Sequence, residues 1–231
     1  MTFKENIKKI RNKIIGGGGV PHLASELHFI KHLLLKQYEQ NIPMLFDIVY
    51  ESNLWGNGSG SGSDEKLCAG YVTFLQNFFA THNITSIVDV GCGDWQFSKN
   101  IDFGKIKYQG FDVASSIINS NIEKYQTENI NFSLYDGDFR VLPKADLLLC
   151  KDVLIHLPNK KIQEFIDVLP QYKYALITNS IDTFGLNTDI LPTEYRGVDL
   201  RLAPFSLQCE EVFRIKSSIE SKITLLWKNS H

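Results

Sequence analysis

The 231-residue chain contains no long hydrophobic run and no excess of basic residues. Nowhere do about 18 apolar residues follow one another, and no apolar stretch follows the first lysines, so we predict neither a membrane-spanning helix nor a secretory signal. The 24 basic and 26 acidic residues leave a net charge of −2, and no basic block interleaves with aromatic residues. Nucleic acid is therefore not an expected partner.

The cysteines show no paired spacing. They are Cys68, Cys92, Cys150 and Cys209. Disulfide frameworks and zinc sites need closer or patterned spacing, so we interpret these residues as buried thiols and expect no metal site. A reduced, soluble, cytoplasmic protein follows from these absences. The length and a hydrophobic content of 43% are sufficient for one well-buried core.

The most informative segment is residues 87–95, which read IVDVGCGDW. An apolar run that ends in two glycines spaced by one residue is typical of a buried parallel strand leading into a tight turn beneath a ligand. A dinucleotide-binding turn needs a third small residue and a helix start without negative charge, whereas Asp94 and Trp95 follow Gly93 here. The segment therefore indicates a nucleotide-type cofactor but disfavours a pyrophosphate.

With Asp89 two residues before Gly91, the segment resembles the first motif, (D/E)-x-G-x-G, of the class I S-adenosylmethionine-dependent methyltransferases. The resemblance implies S-adenosyl-L-methionine as cofactor and S-adenosyl-L-homocysteine as product. It also implies that Asp89 helps to hold the turn and the amino group of the cofactor. Gly91, Cys92 and Gly93 would then lie against the methionine part.

Later segments repeat the pattern of a strand followed by an acidic residue, in the order expected for that family. The second predicted strand, KYQGFD, ends at Asp112, whose carboxylate is placed to accept both ribose hydroxyls. By resemblance, Val113 also belongs to the cofactor site, and Asp138 and Phe139, after a third strand, border the adenine.

A fourth predicted strand, DLLLC, runs into KDVLIHLP at residues 151–158, which is similar to the family motif that flanks the transferring methyl group. A hydroxyl acceptor benefits from a base, and His156 is our candidate because the ordinary pKa of histidine lies near neutrality. Asp152 is the alternative base or an orienting carboxylate. Lys151 is assigned to the cofactor site, with an ion pair to Asp152 as the alternative.

A fifth strand at residues 174–178 and a closing hairpin of residues 211–217 and 221–228 complete the pattern. The closing antiparallel hairpin is a trait of methyltransferases and not of dehydrogenases. We therefore predict an α/β fold with a doubly wound, mostly parallel seven-stranded sheet, the Rossmann-like methyltransferase fold, preceded by an N-terminal helical extension.

The extension, residues 1–63, is predicted to hold helices and a Gly/Ser-rich lid, with the methyltransferase domain over residues 64–231. Helices are expected over residues 1–15, 25–40 and 43–51, the first of them amphipathic and suited to a homodimer contact. Residues 55–63, WGNGSGSGS, are either a flexible linker or a lid in which Trp55 and Ser59 contact the cofactor. The segment is similar to W-G-x-G-S-G-x-G-S in a methyltransferase subfamily of glycan and capsule gene clusters.

The same subfamily resemblance covers a long insertion at residues 180–205. It implies an acceptor-binding segment, with a solvated surface loop as the alternative. The residues assigned to the acceptor are Asn187, Asp189, Tyr195 and Arg196.

The predicted function is transfer of a methyl group to oxygen or nitrogen of a small polar acceptor, a sugar or glycan-linked group. Two alternatives remain: a methyltransferase for a protein or another small-molecule amine, and a catalytically silent cofactor-binding subunit.

Overall fold

The computed structural model describes residues 20–181, 185–216 and 221–230. The chain divides into two compact units, residues 1–39 and 40–231. In the first unit the described residues include one helix, α1 (Val20–Tyr38), which begins five residues before the predicted helix start at residue 25. The helix predicted over residues 1–15 lies outside the described residues, and the domain boundary at residue 63 stays a prediction.

The second unit is built around a seven-stranded sheet with strand order β3-β2-β1-β4-β5-β7-β6. In chain order its elements are α2 (Ile42–Glu51), α3 (Glu65–Thr81), β1 (Ser86–Val90), β2 (Lys107–Asp112), α4 (Ser115–Tyr125), β3 (Ile130–Leu134), β4 (Leu147–Lys151), α5 (Asn159–Val168), β5 (Tyr174–Ser180), β6 (Glu210–Lys216) and β7 (Ser221–Lys228). Strands β1 to β5 run parallel, and β7 is antiparallel to both β5 and β6. The predicted doubly wound sheet and closing hairpin are confirmed.

The sheet has a hydrophobic layer on each face. Successive side chains of a strand point to opposite faces, and β4 shows this directly, since Leu147 and Leu149 belong to one buried cluster while Leu148 and Cys150 belong to the other. Both faces of β4 are therefore apolar, as expected for a central parallel strand.

Helix α3 connects the Gly/Ser segment to β1. It begins at Glu65 because the side chain of Asp64 accepts hydrogen bonds from the backbone N–H groups of Lys66 and Leu67. Its buried face includes Leu75 and Phe79, four residues apart on one side of the helix. This packing holds the end of the Gly/Ser segment at a defined place beside the sheet.

The strand order reverses at β1, which pairs with β2 on one side and with β4 on the other. In open α/β sheets ligands bind in the crevice beyond the carboxyl ends of the strands at such a point. None of the described helices has the length and apolar composition needed to cross a membrane.

Candidate active site

A cavity of about 280 Å³ lies at the reversal point of the sheet. Its walls come from the residues that directly follow β1, β2 and β4, from α2 and from residues 55–63. Most of the residues predicted for the cofactor line it, namely Trp55, Ser59, Asp89, Gly91, Cys92, Gly93, Asp112, Val113, Phe139 and Lys151. The structure thus brings together residues that are up to 96 positions apart in the chain.

Asp89 is held by a chain of aromatic hydrogen bonds. The hydroxyl of Tyr108 donates to Oδ2 of Asp89 at 2.6 Å, and Nε1 of Trp95 donates to the same hydroxyl oxygen at 2.9 Å. Burial raises the pKa of Asp89 to about 6, while the bond from Tyr108 opposes this shift. The carboxylate is therefore fixed at the cavity wall and remains ionised at neutral pH.

The turn after β1 has little free space beside its glycines. Gly91 and Gly93 have φ of +71° and +55°, which side-chain-bearing residues rarely adopt. A Cβ at Gly91 would lie 2.3 Å from Cγ2 of Val153, and one at Gly93 would lie 2.4 Å from Oγ of Ser59. Both glycines are thus required because neighbouring side chains pack closely against them. This requirement adds to the one expected from the sequence, that a ligand approaches the backbone of the turn.

Asp112 is oriented by backbone donors at the end of β2. Its Oδ2 accepts the N–H of Gly93 at 3.0 Å, and its Oδ1 accepts the N–H of Ala114 at 3.0 Å. Burial raises the pKa of Asp112, and the two N–H donors oppose that shift. Because the side chain lines the cavity, it presents a positioned acceptor for hydroxyl groups.

Asp138 is not among the residues that line the cavity, although Phe139 is. The Asp138 carboxylate caps the short 3₁₀ turn that follows it and forms an ion pair with Arg140 at 2.6 Å. The bonds from Arg140 lower the pKa of Asp138 to about 2. The structure therefore keeps Phe139 in the predicted cofactor site and gives Asp138 a local structural contact.

The Gly/Ser segment folds directly onto the turn after β1. The backbone N–H of Ser59 donates to Oδ2 of Asp94 at 3.2 Å, and its Oγ accepts the N–H of Asp94 at 2.9 Å. The Ser59 hydroxyl also lies 3.1 Å from that of Tyr50 in α2, and Gln96 donates to the carbonyl of Asn57 at 2.7 Å. These contacts hold Ser59, which lines the cavity, against the turn after β1.

A buried charge cluster forms another part of the cavity wall, beside Gly62. Oδ2 of Asp152 accepts from Nζ of Lys151 at 2.6 Å and from Nζ of Lys222 in β7 at 2.7 Å. Lys151 also donates to the carbonyl of Gly62 at 2.6 Å. Burial raises the pKa of Asp152, but the two ammonium groups outweigh burial and hold it below its ordinary value.

Oδ1 of Asp152 is buried, and within the described part of the chain it has no hydrogen-bond partner. A buried acceptor of this kind is costly unless a donor reaches it. Asp152 therefore has an acceptor atom that a donor group of a bound molecule would satisfy.

His156 lies in the short 3₁₀ turn Leu154–His156 that follows β4. Its Nδ1 is 2.9 Å from the carbonyl oxygen of Glu194, which only accepts, so Nδ1 carries the proton and Nε2 is left with a lone pair. The ring stacks on Trp55 with centroids 4.8 Å apart, and the ring of Tyr195 is 5.6 Å away. Burial lowers the pKa of His156 to about 4, well below the ordinary value used in the sequence argument.

Of the four insertion residues predicted to bind the acceptor, only Tyr195 lines the cavity. Arg196 is 2% exposed and donates to the carbonyls of Leu154 and Leu157. Asn187 donates to the carbonyl of Asp199.

Asp189 accepts the N–H of Asn159 at the start of α5. Together these contacts engage Arg196, Asn187 and Asp189 in ordering the insertion, so the acceptor assignment is left with Tyr195.

Tyr50, Asp94 and Lys222 are parts of the site for which the sequence provided no signal. Tyr50 belongs to a helix without any motif, and Lys222 lies in the closing hairpin, so only the tertiary fold brings them to the cavity. Asp94 stands directly after the Gly turn, where its negative charge disfavours a pyrophosphate. Nothing in the sequence indicates its two hydrogen bonds to Ser59, which depend on how the Gly/Ser segment folds.

Within the ranges that the structure describes, no group of three or more His, Cys, Asp and Glu side chains is arranged to hold a metal ion. Cys68, Cys92 and Cys150 are buried free thiols, and Cys209 is partly buried. Burial raises the pKa of Cys92 and Cys150, so neither thiol is activated.

A parallel sheet closed by an antiparallel hairpin, with a Gly turn after β1 and a carboxylate after β2 in one cavity, defines a class I methyltransferase. The model of the O-methyltransferase domain family matches residues 42–177, more than half of the chain, and the chain belongs to this family. It is accordingly an enzyme that uses S-adenosylmethionine as methyl donor. A search of curated proteins finds no match.

Solved structures similar to this chain include several methyltransferases. Magnesium protoporphyrin IX methyltransferase from Synechocystis PCC 6803, with bound S-adenosylhomocysteine, shares 14% identity over 87% of this chain and 100% of that chain, with a TM-score of 0.58. The N-methyltransferase NodS from Bradyrhizobium japonicum shares 15% identity over 73% and 90%, with a TM-score of 0.57. The N-terminal domain of EvdMO1, crystallised with S-adenosylhomocysteine and D-fucose, shares 14% identity over 68% and 82%, with a TM-score of 0.53. At these identities the likeness shows the fold.

Proposed function

We propose that this protein transfers the methyl group of S-adenosylmethionine to a hydroxyl group of a sugar or glycan-linked acceptor, with His156 accepting the proton. The observation that carries the proposal is the environment of His156. Its Nδ1 donates to the carbonyl of Glu194, and its ring lines the cavity in contact with the rings of Trp55 and Tyr195. A neutral imidazole with its Nε2 lone pair available is the form that a general base requires.

The cavity residues fit the cofactor by their chemistry. Asp112 would accept the ribose hydroxyls, Val113 and Phe139 would border the adenine, and Asp89 would accept from the amino group. When bound, the cofactor would supply a methyl group on a positively charged sulfur, so that the acceptor oxygen could bond to the methyl carbon as the carbon–sulfur bond breaks and S-adenosylhomocysteine leaves. Holding reactants in line in this way is worth roughly 7–11 kcal/mol in well-oriented reactions.

Asp152 is the weaker candidate for the base. The charges of Lys151 and Lys222 outweigh its burial and lower its pKa, so this carboxylate has little affinity for a proton. Burial also lowers the pKa of His156, to about 4, which reduces its basicity but keeps it unprotonated at neutral pH. The two shifts leave His156 as the stronger base of the pair.

The aromatic surface beside His156 suits a sugar. Trp55 and Tyr195 flank the imidazole, and Tyr195 is 48% exposed at the cavity wall. Flat rings that pair an apolar face with a polar edge provide contact area at low entropic cost. Among the polar groups of the cavity, Nε2 of His156 and Oδ1 of Asp152 are acceptors that match hydroxyl donors.

The proposal predicts that His156→Gln lowers kcat by about 10²–10⁴-fold and leaves the Kd of S-adenosylmethionine nearly unchanged. Release of S-adenosylhomocysteine is measured with a panel of methyl glycosides and amino sugars, and mass spectrometry identifies the methylated atom. His82→Gln is the matched control, because Nδ1 of His82 also lies within 3.1 Å of a backbone carbonyl, but outside the cavity. Full turnover in His156→Gln would assign the proton to another group.

The same turnover assay, measured as a function of pH, tests the lowered pKa of His156. Because the pKa of His156 is lowered to about 4, its protonation should reduce kcat/KM only as the pH approaches 4, below the range in which Asp89, with a pKa of about 6, takes up a proton. The limb near pH 4 should be absent in His156→Gln. A limb near pH 6 that persists in His156→Gln belongs to Asp89, whereas one near pH 6.5 that disappears in His156→Gln would contradict the lowered pKa of His156.

An amine acceptor is the second candidate, favoured by the buried Oδ1 of Asp152, which would accept from an N–H of the neutral amine. Methylation of the amino sugars at nitrogen in the panel would support it. Binding of S-adenosylmethionine without turnover on any acceptor would instead favour a catalytically silent subunit. The cytoplasmic location and the homodimer remain predictions alongside these.

A further inference from the structure

All four carbonyl groups of the turn around His156 accept hydrogen bonds from one short segment of the insertion. Arg196 donates through Nη1 to the carbonyl of Leu154 and through Nη2 to that of Leu157, the latter at 2.7 Å. Its backbone N–H donates to the carbonyl of Ile155 at 3.2 Å, and the N–H of Thr193 donates to the carbonyl of His156 at 2.9 Å.

The same segment also fixes the ring of His156. Between Thr193 and Arg196, the carbonyl of Glu194 accepts from Nδ1 of the imidazole. Backbone and ring are therefore held by neighbouring residues, so a shift of residues 193–196 would move both. A carbonyl oxygen accepts only, and this contact sets which ring nitrogen carries the proton.

Arg196 is the residue that anchors this segment. Its side chain is buried, and besides the two carbonyls of the turn it donates to the carbonyl of Thr188 at 3.2 Å and to Oδ1 of Asn159 at 3.1 Å. A guanidinium group presents its donors in a rigid planar fork, so one side chain is able to bind several carbonyls at fixed angles. Burial lowers the pKa of Arg196, and the nearby charge of Asp189 only partly offsets this effect. A buried cation is expensive, so the main contribution of Arg196 is the geometry that it imposes.

We infer that Arg196 is a positioning residue for the reaction: it clamps residues 193–196 to the turn at Leu154–Leu157 and so holds His156 in the tautomer whose Nε2 accepts the acceptor's proton. This inference rests on the proposed function of His156. It reassigns Arg196 from binding the acceptor to acting through the base.

The test uses Arg196→Met, which keeps much of the side-chain length and removes every donor of the guanidinium. A misplacement of about 1 Å can cost about 10²-fold in rate, so we expect kcat to fall by about that factor while the Kd of S-adenosylmethionine is unchanged. NMR of protein with ¹⁵N-labelled histidine should show His156, assigned from the spectrum of His156→Gln, losing its single Nδ1–H tautomer.

Two further variants test whether kcat and the His156 signals depend on the hydrogen bonds of the Arg196 guanidinium. Arg196→Lys retains the charge but not the fork, so it should restore only part of the activity and of the tautomer signal. Arg201→Met is the matched control, because Arg201 lies in the same insertion, pairs with Asp199 at 2.8 Å and makes no bond to the turn. It should leave both kcat and the His156 signals at wild-type values.

Unchanged kcat in Arg196→Met would overturn the inference, and so would a loss of kcat with wild-type His156 signals, since that pattern belongs to a purely structural role. If Arg196→Met does not fold, Asn159→Ala, which removes one partner of the guanidinium, should show a smaller change in the same two measurements. Full turnover in His156→Gln would refute the proposed base, whereas the His156 signals in the Arg196 variants decide the clamp independently.

Discussion

Gly93 has two separate requirements, one from its backbone angle and one from its neighbour. Its φ of +55° is close to that of Gly104, at +51°, but a Cβ at Gly104 would meet nothing within 4 Å. A Cβ at Gly93 would lie 2.4 Å from Oγ of Ser59. The pair of glycines therefore separates backbone strain from steric overlap.

Alanine at each position should destabilise the fold to a different extent. Left-handed backbone costs a residue with a Cβ about 1–2 kcal/mol, so Gly104→Ala should lower the free energy of unfolding by about that amount. Gly93→Ala should lower it further and weaken binding of S-adenosylmethionine. Urea unfolding and calorimetry provide the two measurements.

Ser59→Gly tests the steric part of this prediction. Combined with Gly93→Ala, it should recover part of the lost stability, because the overlapping hydroxyl is gone and the two sites are coupled. Equal destabilisation by alanine at Gly93 and Gly104, or strictly additive effects of Gly93→Ala and Ser59→Gly, would contradict the packing role of Gly93.

At the scale of elements, residues 55–63 make specific contacts that their Gly/Ser composition does not predict. A Gly/Ser repeat is usually a flexible linker, yet here Ser59 and Asp94 exchange two hydrogen bonds and Lys151 donates to the carbonyl of Gly62. The small residues allow the backbone of this segment to lie against the turn after β1. At Gly58, for example, a Cβ would collide with Asp94.

Ser59→Ala should loosen this segment. The N–H of Asp94 loses its acceptor, which costs about 1–3 kcal/mol when such a group stays unpaired. We expect faster hydrogen exchange over residues 57–62 and about tenfold weaker binding of S-adenosylmethionine, equivalent to about 1.4 kcal/mol.

In the wild type, adding the cofactor should slow exchange over residues 57–62. Ser116→Ala, on the exposed face of α4, is the control and should change neither measurement. If Ser59→Ala binds the cofactor normally and exchange in the wild type ignores the cofactor, the segment is a passive linker.

The strands were predictable because burial on both faces makes them apolar and because each of the first two ends in an acidic residue or a glycine turn. β2 matches its prediction residue for residue, and β5 extends two residues beyond its own, to Ser180. The insertion was not predictable in the same way. Its Arg196 satisfies carbonyls of a turn about 40 positions away, a contact that no local spacing encodes.

At the scale of the whole molecule, the described residues that line the cavity span a large part of the chain. They run from Ile42 to Lys222 and fall within the unit of residues 40–231. Residues that lie far apart in sequence, such as Tyr50 and Lys222, line the same cavity only in the folded domain. The sequence motifs therefore predicted the part of the cavity wall that follows the strand ends. The positions of Tyr50 and Lys222 in that wall depend on the tertiary structure.

This division predicts the behaviour of a chain shortened to residues 40–231. Because every described residue that lines the cavity is retained, the shortened protein should unfold cooperatively and bind S-adenosylmethionine with the Kd of the full chain. If the N-terminal helices form the predicted homodimer, light scattering should show a dimer for the full chain and a monomer for the shortened one. A folded shortened protein that no longer binds the cofactor would place a necessary part of the site in residues 1–39.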